Sequence, residues 1–326
     1  MKMLPINEVL QGDCLELFTK IPSKSIDCVF ADPPFNLKKK YNSHKDKLLE
    51  FEYLEWCKAW INECVRVLKD DGFIFLHNIP KWLTFYASFL NEIAIFRHWI
   101  SWEAMTAPMG KTLQPAHYGI LFYSKGEAKN RFKEVRYPHK RDRRDVLFKD
   151  YGGKKNILHP FGPLCSDVWS DIHRIRHTKN RDNHPCQLPP HLLERIILMS
   201  SEKGDIILDP FLGTGTTALA AKRLDRNFIG FEKDSGYCEI ARAKIEAEKF
   251  ISKVGDFYVS FHLNEIITLR ECDWNELKNY FELPQNPKDI DTCRIKLKAK
   301  NKLEANLFDD LLTKINDKAT LNNQAV

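Results

Sequence analysis

Apolar and polar positions change period along this chain in a regular order. Ile26 to Ala31 (IDCVFA) is a continuous run of strand length, and Phe73 to His77 is another. Between them Leu54, Cys57, Ile61, Cys64, Val65 and Leu68 recur at helical spacing and predict an amphipathic helix over Phe51 to Leu68. Asp70-Asp71-Gly72 then has the composition of a helix end. A helix over Lys81 to Asn91 and strands at Ile95 to Trp102 and Gly119 to Tyr123 follow. Further on, Leu192, Leu193, Ile196, Ile197 and Ser200 trace one helical face. Asp205 to Leu208 is a strand, Thr216 to Leu224 a helix, Phe228 to Phe231 a strand and Ser235 to Lys249 a helix. This alternation predicts an α/β fold with a mostly parallel sheet. After residue 250 the pattern weakens to helical stretches at Trp274 to Phe281 and Asn301 to Ile315, with a polar, frayed end from Asn316 to Val326.

Residues 125–181 break the rhythm. Phe132, Tyr137, Phe148, Tyr151, Phe161 and Trp169 are spread among basic residues, Gly152-Gly153 and prolines, which predicts an irregular insertion with short strands rather than more sheet. The chain's net charge is +6, yet this span holds 16 Lys/Arg against 7 Asp/Glu, so the remainder is net −3. A localised basic stripe is the footprint of a phosphate-backbone binder, although a solvated basic loop has the same composition. The 326 residues are 43% hydrophobic and 29% charged, enough for a core, and no apolar run approaches the ~18 residues of a membrane span. Met1 to Asp13 lacks the apolar stretch of a secretory signal. Nine cysteines without regular spacing or a C-x-x-C pair argue against a disulfide framework or zinc site and for a reducing cytoplasm.

Two turns carry chemistry. Asp209-Pro210-Phe211-Leu212-Gly213-Thr214-Gly215-Thr216-Thr217 leaves a buried strand and opens a helix. Glycine there lets backbone approach a ligand closely, and the helix presents N–H groups to it. Glu232, 19 residues after Gly213, ends the next strand and can accept hydrogen bonds from ribose hydroxyls. These features predict a nucleoside-containing cofactor. Gly213-x-Gly215-x-x-Ala218 also satisfies the dinucleotide fingerprint, so a nicotinamide-dependent oxidoreductase stands as an alternative at this point.

The second turn, Asp32-Pro33-Pro34-Phe35, also follows a buried strand. Its prolines fix φ and supply carbonyl acceptors but no N–H donors. With a carboxylate before them and an aromatic ring after them, the turn can accept two hydrogen bonds from an NH2 group and stack on a planar heterocycle. An exocyclic amine is a poor nucleophile because its lone pair is delocalised. Acceptors on both hydrogens favour a tetrahedral nitrogen able to attack a methyl group, with no metal and no covalent intermediate.

Asp32-Pro33-Pro34-Phe35 and Asp209-Pro210-Phe211-x-Gly213-x-Gly215, in that order around a basic insertion, resemble the S-adenosylmethionine-dependent DNA amino-methyltransferases, β group, of type II restriction-modification kind. The resemblance spans residues 5–249. It implies a Rossmann-like, seven-stranded methyltransferase sheet, circularly permuted. Residues 1–124 would be the catalytic half, 125–181 the target-recognition region, 182–250 the cofactor-binding half and 251–326 an extension of unknown role. It implies that Asp32 accepts from the target amine and that Phe35 stacks on the base, with Pro33 and Pro34 between them. Asp209, Pro210, Phe211, Gly213, Gly215 and Thr216 would hold the methionine end of the cofactor, Glu232 its ribose, and Asp13 with Cys14 its adenine. Asn183-His184-Pro185-x-Gln187 resembles the motif before the next helix, with Leu188 where the family often has lysine. A leading aspartate favours adenine N6 over cytosine N4, and Phe35 stands where tyrosine is commoner.

Other substrates remain open under this resemblance: cytosine N4, RNA or a protein amide. Pro185-Cys186-Gln187 looks like the nucleophile motif of cytosine-C5 enzymes, but Cys186 precedes the cofactor glycines instead of following them. The implied partner is double-stranded DNA, from which the base must be flipped. Lys140, Arg141, Arg143, Arg144, Arg174, Arg176, Lys179 and Arg181 are the candidate DNA contacts, and Lys38-Lys39-Lys40-Tyr41 a loop closing near the flipped base. A cognate restriction endonuclease and a homodimer are compatible partners; a membrane is not.

Overall fold

The computed structural model describes residues 4–37, 48–103, 113, 115–128, 131–133, 135–136, 148–151, 154–157, 165–170, 172, 174–175, 187–248, 267–268, 281–282 and 296–297. The chain forms two compact units. One comprises Met1–Lys133, Ser166–His177 and Arg181–Lys253; the other comprises Glu134–Cys165, Thr178–Asn180 and Val254–Val326.

The first unit is built on β1 (Glu8–Gln11), α1 (Cys14–Phe18), β2 (Ile26–Ala31), α2 (Glu50–Val67), β3 (Leu68–Asn78), α3 (Pro80–Ile93), β4 (Ile95–Glu103) and β5 (His117–Ser124). The second unit contributes β6 (Val135–Arg136) and the hairpin of β7 (Phe148–Tyr151) with β8 (Lys154–Ile157). The first unit continues through β9 (Val168–Trp169), α4 (Pro190–Ser200), β10 (Ile206–Asp209), α5 (Thr216–Arg223), β11 (Asn227–Glu232) and α6 (Ser235–Ala247). In the second unit, β12 (Ile267–Thr268) pairs antiparallel with β6, and β13 (Phe281–Glu282) with β14 (Lys296–Leu297).

The large sheet runs β1-β11-β10-β2-β3-β5-β4-β9. β5 lies antiparallel between β3 and β4, and the other pairings are parallel. β2 is buried along its whole length because both faces of the sheet are covered, which explains its unbroken apolar run. Val29 and Ala31 of β2 join Ile74 and Leu76 of β3 in a core with Cys57, Trp60, Ile61 and Cys64 of α2 and Leu83 and Tyr86 of α3. Cys28 faces the other way, where the Ser200 hydroxyl of α4 donates to its sulfur at 3.3 Å. From β2 the chain moves through α2 to β3 on one side; from β10 it moves through α5 to β11 on the other. The neighbours β10 and β2 therefore flank a topological switch point, the place where open α/β sheets bind ligands.

Three expectations change. Asp70-Asp71-Gly72 does not end α2, which stops at Val67; it lies inside β3, where the register against β2 jumps from Ile26↔Leu68 to Cys28↔Phe73. The chain bulges there, and the Asp27 side chain beside the bulge accepts from Lys69 at 2.7 Å and Arg131 at 2.9 Å. The sheet has eight strands, the additional one being β9 from within residues 125–181. Trp169 of β9 is fully buried, and Trp102 of β4 donates to the Ile172 carbonyl at 2.7 Å, so this short piece is held by its tryptophans. Finally, β1 and α1 were not legible as elements. The first has four residues with only Val9 buried, and the second is a single turn capped by Asp13. Among the described residues Cys14, Cys28, Cys57, Cys64, Cys165 and Cys238 are free thiols, and no helix is long and apolar enough to cross a membrane.

Candidate active site

Parallel pairing of Ile207↔Cys28 and Leu208↔Val29 brings the carboxyl ends of β10 and β2 side by side. The turns that leave them, Asp32 to Phe35 and Asp209 to Thr217, therefore open into one cavity of about 350 Å³. Asp32, Pro33, Pro34, Phe35, Asp209, Pro210, Phe211, Gly213, Thr216 and Glu232 all line it, as do Asp13 and Cys14 from the start of α1. Gly215 lies just outside the wall: it caps α5 at φ +89°, and a Cβ there would meet the Ala241 Cβ of α6 at 2.9 Å.

The glycine-rich loop is braced by carboxylates. Asp209 accepts from the Phe211 N–H at 2.9 Å and from the Thr217 hydroxyl. Glu232 accepts from Gly213 N–H and from Asp234 N–H, each at 2.8 Å, leaving further lone pairs on both oxygens. Leu212 and Gly215 N–H groups go to the carbonyls of Phe231 and Leu212. Four N–H groups that a dinucleotide pyrophosphate would need are thus already engaged. The sequence expectation of N–H groups aimed at a ligand does not hold for them.

The charge of the wall points the same way. Asp13, Asp32, Asp209 and Glu232 face Lys233 as the one basic residue lining the cavity among the described residues, and Lys233 Nζ lies 3.4 Å from Asp13 Oδ2. Burial, followed by the charges of Asp32 and Glu232, pushes the Asp209 carboxyl up to about 7. Burial also raises Glu232. Such a wall repels pyrophosphate and favours a cationic ligand, which removes the support for a nicotinamide dinucleotide.

The Asp-Pro-Pro-Phe turn is held from three elements that sequence reasoning did not connect with it. Asn78 donates to the Tyr86 hydroxyl at 3.2 Å. The Tyr86 and Tyr53 hydroxyls are 2.8 Å apart, and Tyr53 donates to the Pro34 carbonyl at 2.6 Å. Burial pushes both tyrosines upward, so they stay protonated donors. The Trp82 indole N–H donates to the Phe35 carbonyl at 2.7 Å. Two of the turn's carbonyls are therefore occupied, and the Pro33 carbonyl has no partner among the described residues. It stands with the Asp32 carboxylate as a pair of acceptors at the cavity. One Asp32 oxygen, Oδ1, lies 2.7 Å from Nδ1 of buried His77. Phe35 is itself buried at 7% exposure, its ring 5.6 Å from His77 and 5.9 Å from Tyr118, and one edge reaches the cavity.

Residues 26–243 match the N6/N4 DNA methylase family. The chain belongs to that family. It is 40% identical over 275 residues to the type II methyltransferase M.BamHI of Bacillus amyloliquefaciens, covering 82% of this chain and 64% of the relative. This DNA methylase therefore spans somewhat under two thirds of that relative's length. Its fold is similar to that of the cytosine-N4-specific PvuII DNA methyltransferase, with a TM-score of 0.54 and 21% identity over 75% of this chain and 88% of that one. It is also similar to a DNA modification methylase of Thermus thermophilus, solved with S-adenosyl-L-methionine, with a TM-score of 0.51 and 20% identity over 75% and 97% of the two chains.

Of the other predicted site residues, Arg174 is exposed. Lys140, Arg141, Arg143, Arg144, Arg176, Lys179 and Arg181 lie outside the described residues, as do Lys38 to Tyr41 and Asn183 to Cys186. Gln187 and Leu188 line the cavity. Tyr53 and Trp56 line it too, and only their positions on the buried stripe of α2 could have marked them in the sequence. No group of acidic, histidine and cysteine residues able to hold a metal ion occurs among the described residues.

Proposed function

We propose that this chain is an S-adenosylmethionine-dependent DNA methyltransferase acting on an exocyclic base amine, adenine N6. The observation that carries the reading is that the Asp32 and Gly213 turns, 181 positions apart in sequence, line one acidic cavity. The cofactor's sulfonium suits that wall, with Asp13 and Cys14 at its adenine, Glu232 at its ribose and the Asp209 to Thr216 loop at its methionine end.

Asp32 and the Pro33 carbonyl accept the two amine hydrogens, which localises the nitrogen lone pair. The nitrogen attacks the methyl carbon in line as the carbon–sulfur bond breaks. The sulfonium becomes a neutral thioether, and the charge now on nitrogen is relieved when a proton passes through Asp32 to water. Positioning and fixed dipoles supply the rate. Adenine is favoured by the aspartate that heads the turn. The base reaches the cavity by flipping out of the duplex, at an unstacking cost of a few kcal/mol.

In this reading the sheet is a circular permutation in which the cofactor-binding strand β10 comes late in the chain yet lies at its centre. The basic span within 125–181 holds and reads DNA, and the enzyme serves a restriction-modification system with a partner nuclease. The test is methylation of duplex DNA with methyl-labelled S-adenosylmethionine, followed by nucleoside mass spectrometry. N6-methyladenosine is the expected product. N4-methylcytosine would overturn the choice of base alone, and absence of any labelled nucleoside would overturn the activity.

A further inference from the structure

Asp32 follows β2, and the pairing of Ala31 with Leu76 makes His77 of β3 its lateral neighbour across the sheet. His77 is 2% exposed. Its ring is walled by Phe35, Trp102 and Tyr118, with centroids 5.6, 5.6 and 5.3 Å away. Its Nδ1 meets Asp32 Oδ1 at 2.7 Å, while its buried Nε2 has no hydrogen-bond partner among the described residues. An unpaired buried polar atom is destabilising, and a ring that served only to fill space here could be phenylalanine without that cost. The single side-chain hydrogen bond this histidine makes among the described residues goes to the carboxylate that the proposed reaction uses.

We propose that His77 is a positioning residue for methyl transfer. The proposal rests on the methyltransferase reading and extends it. Nδ1–H donates to Asp32 Oδ1, which fixes the carboxylate plane and leaves Oδ2 for the target amine. Nε2 is then the unprotonated nitrogen, which is less costly to bury unpaired than an N–H. A carboxylate free to rotate would meet the amine in many geometries, few of them in line with the methyl group.

Two substitutions separate this role from packing. His77→Phe keeps the ring and loses the donor; His77→Asn loses the ring and keeps an N–H near the Nδ1 position. Single-turnover methylation of duplex DNA should slow by about tenfold or more in H77F, the scale expected when a reacting group is misplaced. H77N should retain about a third of the wild-type rate or more, and calorimetric cofactor affinity should stay within about threefold in both. A packing role predicts the reverse order, with H77F active and H77N impaired, and that result overturns the proposal, as does equal loss in both. Wild-type protein that transfers no methyl group overturns the methyltransferase reading itself, whereas wild-type turnover with an unaffected H77F overturns only the role of His77. Should H77F not fold, long-range proton–nitrogen spectra of histidine-labelled wild type decide instead. An Nδ1–H tautomer at His77 is expected, and an Nε2–H tautomer overturns the assignment.

Discussion

At Asp209 the cost of burial is paired with a use. An isolated carboxylate here is destabilising once ionised, and its folded value of about 7 lies above the ordinary carboxylate value. Between those two values the native protein binds more protons than the unfolded chain. Its contribution to stability therefore falls as pH rises through that window, and the full cost remains above about 7. Asp209→Asn keeps an acceptor for the Thr217 hydroxyl and removes the titration. Urea unfolding from pH 5 to 8 should show wild type losing stability relative to the asparagine variant; parallel curves would refute the assignment. A sulfonium in the same cavity lowers the Asp209 value, so its binding releases a proton below about pH 7 and strengthens as pH rises. The affinity ratio of S-adenosylmethionine to its neutral thioether product should then grow from pH 6 to 8 by calorimetry, and a flat ratio would contradict an electrostatic role. Asp32→Ala is expected to reduce methyl transfer by roughly 100-fold or more, the scale of losing one preorganised polar group, while cofactor affinity and far-UV circular dichroism change little.

Elements explain what the sequence could and could not show. Helix α5 begins at Gly215, whose positive φ and 2.9 Å Cβ approach to Ala241 let α5 pack against α6. Gly215→Ala should cost about 1–3 kcal/mol, from strain and overpacking together, as measured by denaturant midpoint. Gly213, at φ +55°, gives its N–H to Glu232. Gly213→Val should weaken cofactor binding more than DNA binding, and calorimetry with the opposite order would move the cofactor elsewhere. Strands β2 and β10 and helices α2 and α5 were legible because period and punctuation are local. The bulge at Lys69 to Gly72 was not, because its polar residues look like a helix end until Asp27 and Arg131 are seen beside them. Tyr53, Trp82 and His77 were also hidden. They are 19, 47 and 45 positions from the turn residues they touch, on segments whose spacing advertises only core.

Strand order makes one site from two distant turns, and it leaves charge distribution as the remaining property of the whole chain. The acidic cavity and the basic span 125–181 divide the work of binding between a cationic small molecule and a polyanion. Net +6 alone would describe neither, since the span exceeds the total and everything outside it is net −3. Phosphate contacts release condensed counterions, so the logarithm of DNA affinity should fall linearly with the logarithm of salt, by about 0.9 for each phosphate engaged. If six phosphates are held, affinity should drop by roughly 10³ between 50 and 200 mM salt. Replacing Arg141, Arg143 and Arg144 together with glutamine should lower the slope by up to about 2.7 while leaving cofactor affinity unchanged. Fluorescence anisotropy with a labelled duplex measures the slope directly. An unchanged slope in the triple variant would remove those arginines from the phosphate contacts. A flat response in wild type would remove the basic span from DNA binding altogether, because the rest of the chain carries no positive charge in excess.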